Sequence, residues 1–496
     1  MEKQSNLSLA QNLNLKYLGT QQEQKKPYLG FLGFTNIFLW ILFFASLLLL
    51  IFKGNIPNYD FDGWFRINGF TLIIWATVTF FSAIVNTYSR SYLIGFKYHQ
   101  RFVKLSLGFT FSVMLFVASN HVALFILSWF TMGFFMAKLI GVNKEWKDAK
   151  EAAKFSHKYF LIGTLFLAAG TLLLAFKCQS LFLSDIIGRL GNLSILNLTL
   201  SAIFIIVAAI IQSAIYPFHR WLLSAMTAPT PASALMHAGF VNGSGILLAI
   251  FSSLIFHSQT FTLLLIIGGL TAIIAQFTKL LQVNVKQKLA CSTIAQMGFM
   301  IMQCGLGFFN AAVAHLILHG FYKAYLFLSS GETVEHTKPK NNQQIVIKPM
   351  QAVIVLIYGL IGAWLFATLT GKGTALNSGI FLTLIVAITV GQVTYNIVKQ
   401  KNLSLIQKAF IPPMLFFIGI GLYAAIYSGV TYMMSGMPFS DTPLPLSFIQ
   451  IGFGIIFLVG FFIMKLGGYQ KVPWLYVKLL NLSQPYHKTT LNFNNK

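Results

Sequence analysis

Residues 210–250 read IIQSAIYPFHRWLLSAMTAPTPASALMHAGFVNGSGILLAI, and this stretch decides the fold. It is apolar enough to enter a lipid bilayer, but it contains residues that break helices: Pro217, Pro229, Pro231, Gly239, Gly243 and Gly245. Proline removes a backbone hydrogen-bond donor and glycine loosens a helix. We therefore predict a broken membrane helix here, and we expect no helix to start at Pro229 or Pro231.

A helix that breaks at membrane depth has a structural or a functional explanation. Irregular backbone is tolerated there only where it packs against protein or lines a cavity. Discontinuous helices of this type mark ion or substrate pathways in transporters, and a plain re-entrant or interfacial turn is the alternative. Under the functional interpretation, His237, just after the break, is the first candidate, and Gln212, just before it, is a weaker one.

The whole chain has the composition of a membrane protein. Of its 496 residues, 56% are hydrophobic and 9% are charged, whereas soluble domains carry about 25% charged residues. This excludes a disordered chain, a basic nucleic-acid-binding domain and most cytosolic enzymes. Apolar runs of about 20 residues predict an all-α polytopic membrane protein with about fourteen membrane helices. They lie near residues 30–52, 68–86, 103–120, 121–142, 158–177, 195–226, 231–256, 260–282, 289–306, 308–329, 350–370, 376–398, 409–434 and 446–465.

The charges predict an orientation for these helices. There are 35 Lys and Arg against 11 Asp and Glu, and the basic residues fall in the N-terminal segment, every second loop and the C-terminal tail. By the positive-inside rule, we expect a multi-pass protein of a bacterial inner membrane with both termini cytoplasmic. We divide it into a polar inward N-terminal segment (1–28), a transmembrane domain (29–466) and a basic inward tail (467–496).

One predicted helix carries a stripe of ionisable residues, which are costly inside a membrane and usually functional. Residues 314–332, AHLILHGFYKAYLFLSSGE, contain His315, His319 and Lys323, and no Asp or Glu falls near the middle of any predicted helix. The spacing of four places all three side chains on one face. Histidine titrates near neutral pH, so the stripe favours proton handling. A polar seam between helices and a metal site at the histidine pair are the alternatives.

Other polar features are less informative. Lys138, Lys279 and Lys286 lie near inward helix ends, where their amines are expected to reach the interface. The three cysteines, at 178, 291 and 304, have no metal-binding or disulfide spacing, and no phosphate loop, dinucleotide fingerprint or nucleophile elbow occurs. These absences count against an ATP-driven pump, a self-contained hydrolase and a zinc site made by this chain alone.

Two stretches resemble the antiporter-like subunits of respiratory complex I and of multi-subunit cation/proton antiporters. They are PFHRWLLSAMTAPTPASALMHAG (217–239) and VKQKLACSTIAQMGFMIMQCGLGFFNAAVAHLILHGFYKAYLFLSSG (285–331). Within that superfamily, MHAGFVNGSG (236–245), QMGFMIMQCGLG (296–307) and HLILHGFYKAYLFLSSG (315–331) are more similar to the DabB family, the membrane subunits of DabA/DabB inorganic-carbon accumulation systems.

The resemblance implies a fold with two inverted five-helix repeats, each with a broken helix, and a polar axis through the middle. It implies an ion pathway along His237, Lys286, His315, His319 and Lys323. Lys138, Lys279 and Gln212 are weaker candidates, which the positions of these residues suggest independently of the resemblance. Two positions depart from the complex I pattern, which has Glu after a Trp and Lys before the broken helix. Here Phe130 follows Trp129, and Gln212 stands before the break.

The resemblance also implies a partner and an activity. The partner is a DabA-like zinc-binding subunit on the inward face, with a site like that of β-type carbonic anhydrases, and the pair accumulates bicarbonate from CO2 using a gradient of H+ or Na+. This chain is then a transporter subunit without a cofactor, with zinc on the partner. The alternative functions are a proton-pumping subunit of a complex I-like NADH-quinone oxidoreductase and a subunit of a multi-subunit cation/proton antiporter. The lack of buried carboxylates counts against both, because Na+ prefers oxygen ligands.

Overall fold

A computed structural model describes residues 28–52, 59–330, 349–373, 375–386, 405–466 and 472–486. These residues are helical apart from connections and one hairpin, in which β1 (Tyr59–Phe61) pairs antiparallel with β2 (Phe65–Ile67). The first helices are α1 (Tyr28–Ile51), α2 (Gly69–Tyr92), α3 (His99–Ala118), α4 (Val122–Ile140), α5 (Lys147–Cys178), α6 (Leu183–Arg189) and α7 (Ile195–Gln212).

The remaining helices begin after an irregular turn. They are α8 (Arg220–Ser224), α9 (Thr230–Leu235), α10 (Gly243–Ile250), α11 (Ser252–Ser258), α12 (Phe261–Leu280), α13 (Val285–Gly305), α14 (Phe309–Leu328), α15 (Pro349–Thr370), α16 (Leu405–Met433), α17 (Phe448–Leu466) and α18 (Pro473–Leu482). In the described ranges, ten helices are long and apolar enough to cross a membrane, counting Thr230–Ile250 as one. The mostly helical membrane class predicted from the sequence is confirmed.

Some predicted segments lie outside the described residues. The N-terminal segment up to residue 27, the second half of the predicted helix 376–398 and part of the tail belong to this group. The predicted number of about fourteen membrane helices therefore stays a prediction.

The predicted helix 195–226 is not continuous. Helix α7 ends at Gln212, and a turn that contains a cis bond before Pro217 leads into α8. The expectation that no helix starts at the next two prolines was wrong, because α9 begins at Thr230 with Pro231 in its first turn. Proline is accommodated there because the first amide groups of a helix have no intrahelical acceptor.

The broken helix lies at the centre of the fold. In the most apolar window of Thr230–Ile250, 89% of the residues are buried, against 22% of the window in Gly30–Ile51. Helix α9 packs against α2 and α14, whereas α10 packs against α7, α13 and α14. Protein rather than lipid therefore surrounds the break, as irregular backbone at membrane depth requires.

Glycines bring the neighbouring helices close to the break and to each other. A Cβ atom at Gly320 on α14 would lie 2.6 Å from the ring of Phe81 and 3.2 Å from the carbonyl oxygen of Ala238. At Gly298 on α13, it would lie 2.6 Å from the backbone nitrogen of Ala272 on α12. These distances leave no room for a side chain, and small residues allow such close helix packing in membranes.

Candidate ion pathway at the broken helix

The break itself is a π-helical turn, Met236–Phe240, between α9 and α10. Such turns disturb the usual ladder of backbone hydrogen bonds, and α7 supplies donors to the carbonyl groups there. Nε2 of Gln212 donates to the carbonyl oxygen of Phe240 at 3.3 Å, and the Ser213 hydroxyl donates to that of Val241. The structure thus places Gln212, a weaker pathway candidate, as a support of the break.

The predicted helix-breaking residues divide into two groups. Gly239 lies inside the π-helical turn and Gly243 is the first residue of α10. Pro217 and Pro229 lie in the connections on either side of α8, and Pro231 lies in the first turn of α9. The glycines therefore belong to the break, whereas the prolines shape the approach to it.

His237 lies within the π-helical turn. Its side chain is fully buried, and its ring stacks on that of Phe327 with 4.3 Å between centroids and 15° between planes. Neither ring nitrogen has a hydrogen-bond partner among the described residues. An unpaired buried polar group costs about 1–3 kcal/mol, so the described residues leave the hydrogen-bonding capacity of this imidazole unmet.

Helix α14 presents His315, His319 and Lys323 on one stripe. Nδ1–H of His315 donates to Oε1 of Gln303 on α13 at 3.1 Å, and the two histidine rings are 6.3 Å apart. His319 is 5% exposed, and its ring nitrogens have no partner in the described part of the chain. Lys323 is fully buried and donates to the carbonyl oxygen of Leu289 at 3.2 Å.

We call His237, His315, His319 and Lys323 the nitrogen cluster. Lys323 lies within electrostatic reach of His237, His319, Lys279 and Cys291. His319 also interacts electrostatically with the other two histidines. No carboxylate takes part in these interactions among the described residues, so a positive charge on one member disfavours a second. The arrangement is therefore suited to passing a proton rather than storing several.

Lys286 lies apart from the nitrogen cluster, in the first turn of α13. The side chain of Asn284 caps this helix by accepting from the amide of Lys286. Nζ of Lys286 donates to the carbonyl oxygen of Ala228 at 2.9 Å, which ties α13 to the connection before α9. Within the described ranges, no contact joins Lys286 to the cluster, whereas Lys279, predicted as a weaker member, lies within electrostatic reach of Lys323.

Helix α18 packs beside α8 and the α12–α13 connection, at the end that the charge pattern assigns inward. Three hydrogen bonds hold it, from His219 Nε2–H to Leu482 O (2.8 Å), from Gln282 Nε2 to Ser483 O (3.3 Å) and from the Tyr486 amide to Ser224 Oγ (2.9 Å). Burial lowers the pKa of His219 to about 4. Its ring is therefore neutral at pH 7. The sequence predicted a basic tail in this region but not its helix.

Lys138 and Phe130 lie away from the nitrogen cluster. Lys138, a weaker candidate, is exposed, with its amine 5.3 Å from the ring centroid of Phe134. Phe130, at the position where the complex I pattern has Glu, is half-buried and lies 6.3 Å from the same ring. The structure therefore does not bring Lys138 to the nitrogen cluster.

Two polar residues join the site that the sequence interpretation missed. Tyr423 on α16 hydrogen-bonds to Gln303, which in turn accepts from His315. Gln303 is a polar residue inside an apolar helix, and that signal is visible in the sequence. Tyr423 has no such signal, because it comes from a helix more than a hundred residues away and tyrosines are frequent in this chain.

The alternative of a metal site on α14 requires further ligands. In the part of the chain that the structure describes, no group of three or more His, Cys, Asp or Glu side chains could hold a metal ion. Of the histidine pair, His315 hydrogen-bonds to Gln303, and the ring nitrogens of His319 have no partner among the described residues.

A family model and individual relatives assign this chain to the same family. The family described as NADH:quinone oxidoreductase/Mrp antiporter, TM, matches residues 119–398. A "Probable inorganic carbon transporter subunit DabB" of Bacillus anthracis is 33% identical over 71% of this chain and 69% of its own length. A protein of the same name from Hydrogenovibrio crunogenus is 30% identical over 77% and 78%. NADH-quinone oxidoreductase subunit L of Rickettsia bellii is 29% identical over 62% and 50%.

A solved structure has the same fold. A chain of respiratory complex I from Thermus thermophilus with bound NADH superposes with a TM-score of 0.53 at 17% identity, and the match covers 90% of this chain and 94% of that one. At this identity the likeness concerns the fold alone. The antiporter-like helical fold is confirmed, and the two inverted repeats stay a prediction.

Proposed function

Since the chain belongs to the NADH:quinone oxidoreductase/Mrp antiporter family and, within it, to the DabB proteins, we propose that it is the proton-conducting membrane subunit of an inorganic carbon (CO2/bicarbonate) accumulation complex. Relatives that cover more than two thirds of this chain carry the name "Probable inorganic carbon transporter subunit DabB". In the proposal, protons cross a bacterial inner membrane through this chain and energise a DabA-like partner on its cytoplasmic face. The partner carries zinc and hydrates CO2, so the chemistry lies outside this chain.

The observation that carries the proposal is the state of the nitrogen cluster. Three of its members, His237, His319 and Lys323, are buried at the centre of the fold, and the two imidazoles have no partner in the described residues. Ionisable groups inside a membrane are costly, and hydrogen bonds to neighbouring helices would be expected if they only held helices together. Their unpaired nitrogens support a role in accepting and releasing protons.

The cluster favours protons over Na+ as the coupling ion. Na+ is bound by oxygen ligands such as carboxylates and carbonyls. The cluster offers imidazole and amine nitrogens, and its electrostatic neighbours include no carboxylate among the described residues. Imidazole exchanges protons near neutral pH, so the side chains match a proton pathway.

The energy of this pathway is sufficient for carbon accumulation. One elementary charge that crosses 100 mV gains about 2.3 kcal/mol, and about 1.4 kcal/mol changes an equilibrium tenfold. Each proton can therefore bias the partner's reaction by a factor in the tens. Hydration converts CO2 and water into bicarbonate and a proton, and coupling to the proton current supplies the energy that biases this direction.

The alternative function is a proton-pumping subunit of a complex I-like oxidoreductase or of a multi-subunit cation/proton antiporter. Kinship with NADH-quinone oxidoreductase subunit L favours it, although that match covers less of both proteins than the DabB matches do. Gene neighbourhood separates the two functions. One adjacent gene for a large zinc-binding protein supports carbon accumulation, whereas a long series of iron–sulfur and membrane subunit genes supports respiration.

The test uses a host that lacks carbonic anhydrase and needs high CO2 to grow. The chain and its partner, expressed together, should restore growth in air. His319→Ala and Lys323→Ala should each abolish this rescue, because each removes a proton-carrying nitrogen from the cluster. Lys138→Ala is the matched control, since this exposed lysine lies on the surface of α4.

Protein levels in the membrane fraction, measured by immunoblot, separate loss of function from loss of folding. Full rescue by both cluster variants at normal levels would dismiss the proton pathway. If the Lys138→Ala control also fails to restore growth, the growth assay cannot distinguish the variants. Proton flux measured in vesicles then shows whether the cluster variants have lost conduction.

A further inference from the structure

A second set of polar side chains continues from the nitrogen cluster toward the opposite end of α14. Its first link is Gln303, which accepts from His315 and hydrogen-bonds to Tyr423. One turn further along α16 lies Tyr427, which is 2% exposed and packs, like Tyr423, against the ring of Phe366. The two tyrosines interact electrostatically.

Tyr427 is held by the first turn of α14. Nδ2 of Asn310, which is fully buried, donates to the Tyr427 hydroxyl at 3.2 Å and to Oγ1 of Thr431 at 2.8 Å. The amide cannot easily carry a proton itself, but it fixes the orientation of the hydroxyl. Tyr427 also lies within electrostatic reach of Asp441.

Asp441 forms an ion pair with Lys372 at 2.9 Å. Both side chains are about one fifth exposed, so water at this end of the bundle reaches the pair. The backbone of Asp441 forms a β-bridge with Phe308, in the α13–α14 connection. At this connection Gly307 has a φ of +88°, a conformation that favours glycine, and a side chain there would collide with Thr442. The pair is therefore fixed at the end of α14.

The polar side chains extend over most of a membrane thickness. Asn310 and Lys323 are thirteen residues apart on α14, which corresponds to about 20 Å at 1.5 Å per residue. The ion pair lies beyond Asn310, and the hydrocarbon core is about 30 Å thick. The charge pattern of the sequence assigns the Asp441 end outward.

We propose that the Lys372–Asp441 ion pair is the outward gate of the proton pathway, and that Tyr427 and Tyr423 connect it to His315, with Asn310 and Gln303 as positioning residues. The proposal rests on the proposed function, because it names the outward half of the same pathway. Asp441 is the sole carboxylate that the described residues place beside this route.

Each step moves one proton and leaves the side chains unchanged. A proton from outward water binds the Asp441 carboxylate, which cancels its charge and releases the Lys372 ammonium. The proton then leaves Asp441 for the Tyr427 hydroxyl, and each hydroxyl or imidazole accepts one proton as it releases another. The proposal requires one water molecule between the two tyrosine hydroxyls and another between Tyr423 and His315, because the Gln303 amide orients both groups without carrying the proton itself. When the proton has passed, Asp441 is again a carboxylate and the ion pair re-forms.

The test measures proton flux through the whole complex, with its partner, in vesicles under an imposed membrane potential, using a pH-sensitive dye. Asp441→Asn should lower the flux about tenfold or more, the scale of a lost proton-transfer group, whereas Asp441→Glu should retain most of it. Lys372→Ala should raise the flux, because the carboxylate stays and no ammonium holds it in the closed ion pair. Tyr427→Phe should lower it several-fold.

Matched controls keep the result specific. Asp185→Asn removes another acidic residue of the outward side, which accepts from Ser180, and Tyr432→Phe changes an exposed tyrosine of the same helix; both should leave the flux unchanged. Equal losses in Asp441→Asn and Lys372→Ala would show a structural ion pair and overturn the gate. Normal proton flux in Asp441→Asn, together with loss of flux in Lys323→Ala, would also overturn the gate. Normal flux in Lys323→Ala would instead refute the proposed function.

Discussion

Buried histidines occur in two different surroundings in this protein. His219, beside the tail helix, is 2% exposed and donates to the carbonyl oxygen of Leu482. His237 and His319, at the centre, are equally buried, but their ring nitrogens have no partner among the described residues. Burial alone therefore does not distinguish these histidines; His219 leaves only Nδ1 unpaired, whereas His237 and His319 leave both ring nitrogens unpaired among the described residues.

The difference follows from what surrounds each ring. The connection after α7 and the end of α18 offer backbone carbonyls to His219, so one hydrogen bond fixes it. Around His237, the neighbours are the ring of Phe327 and the charge of Lys323. The hydrogen bond of the first site joins two segments, and under the proposed function the second site keeps its nitrogens available for protons. Four predictions test this distinction.

The largest effect is expected from Gly320→Leu, which disturbs the close packing of α14 against α2 and the broken helix. The new side chain would collide with Phe81 and the Ala238 carbonyl, and overpacking costs about 1–3 kcal/mol or more. Growth in air should be lost together with most of the protein in the membrane. Gly419→Leu on α16 is the control, since a side chain there meets open space. Normal rescue by Gly320→Leu would contradict the close packing of α14 against the break.

The second prediction exchanges the two classes of histidine. His319→Gln should lower carbon uptake about tenfold or more, the scale of a lost acid–base group, at a normal protein level. His219→Gln should leave uptake close to the wild-type rate, because glutamine still donates to Leu482. Uptake of labelled inorganic carbon by cells measures both. The opposite ranking of the two variants would reverse the assignment of roles.

The third prediction concerns pH and the tail. Burial, helped by the charge of Arg220, lowers the pKa of His219 to about 4, below the ordinary value of about 6.5. Burial of the ring favours its neutral form and outweighs the hydrogen bond to Leu482, which favours the charged form, so the packing around His219 is strongest above about pH 6.5 and weakens as the pH falls toward 4. Protease cleavage near residue 484 should speed up at pH 5 relative to pH 7 in the wild type. In His219→Gln the two rates should be alike, and equal acceleration in both would assign the pH effect to another group.

The smallest effect is expected from Gln212→Leu. This change removes the donor to the Phe240 carbonyl, a loss of about 1 kcal/mol, and should lower the melting temperature of the purified complex by a few degrees. Uptake should stay within about twofold of the wild type, because a support of the break is weakened without loss of a proton carrier. A large loss of uptake at an unchanged melting temperature would instead make Gln212 a member of the pathway.

The sequence contains the local part of this architecture. A spacing of four places His315, His319 and Lys323 on one face of a helix, whichever helices pack beside it. The glycines after residue 236 predict the break in the helix. The helix start at Pro231 was mispredicted because a proline in the first turn and a proline inside a helix look alike until the boundary is known.

The partners of these residues depend on tertiary structure. Gln303 and Tyr423 meet only because α13, α14 and α16 pack together, and the ion pair of Lys372 with Asp441 joins residues 69 positions apart. The same packing separates Lys138 and Lys286 from the cluster, although their sequence positions resemble that of Lys279. Periodicity within one helix cannot reveal which of several lysines faces the axis.

The most direct test of the central claim is an experimental density map of the complex in lipid, at a resolution that shows ordered water. The proton-pathway account predicts water within hydrogen-bond distance of the ring nitrogens of His237 and His319, continuing to Lys323. A dry, closely packed cluster, or imidazoles turned toward lipid headgroups with no connected water between them, would contradict it.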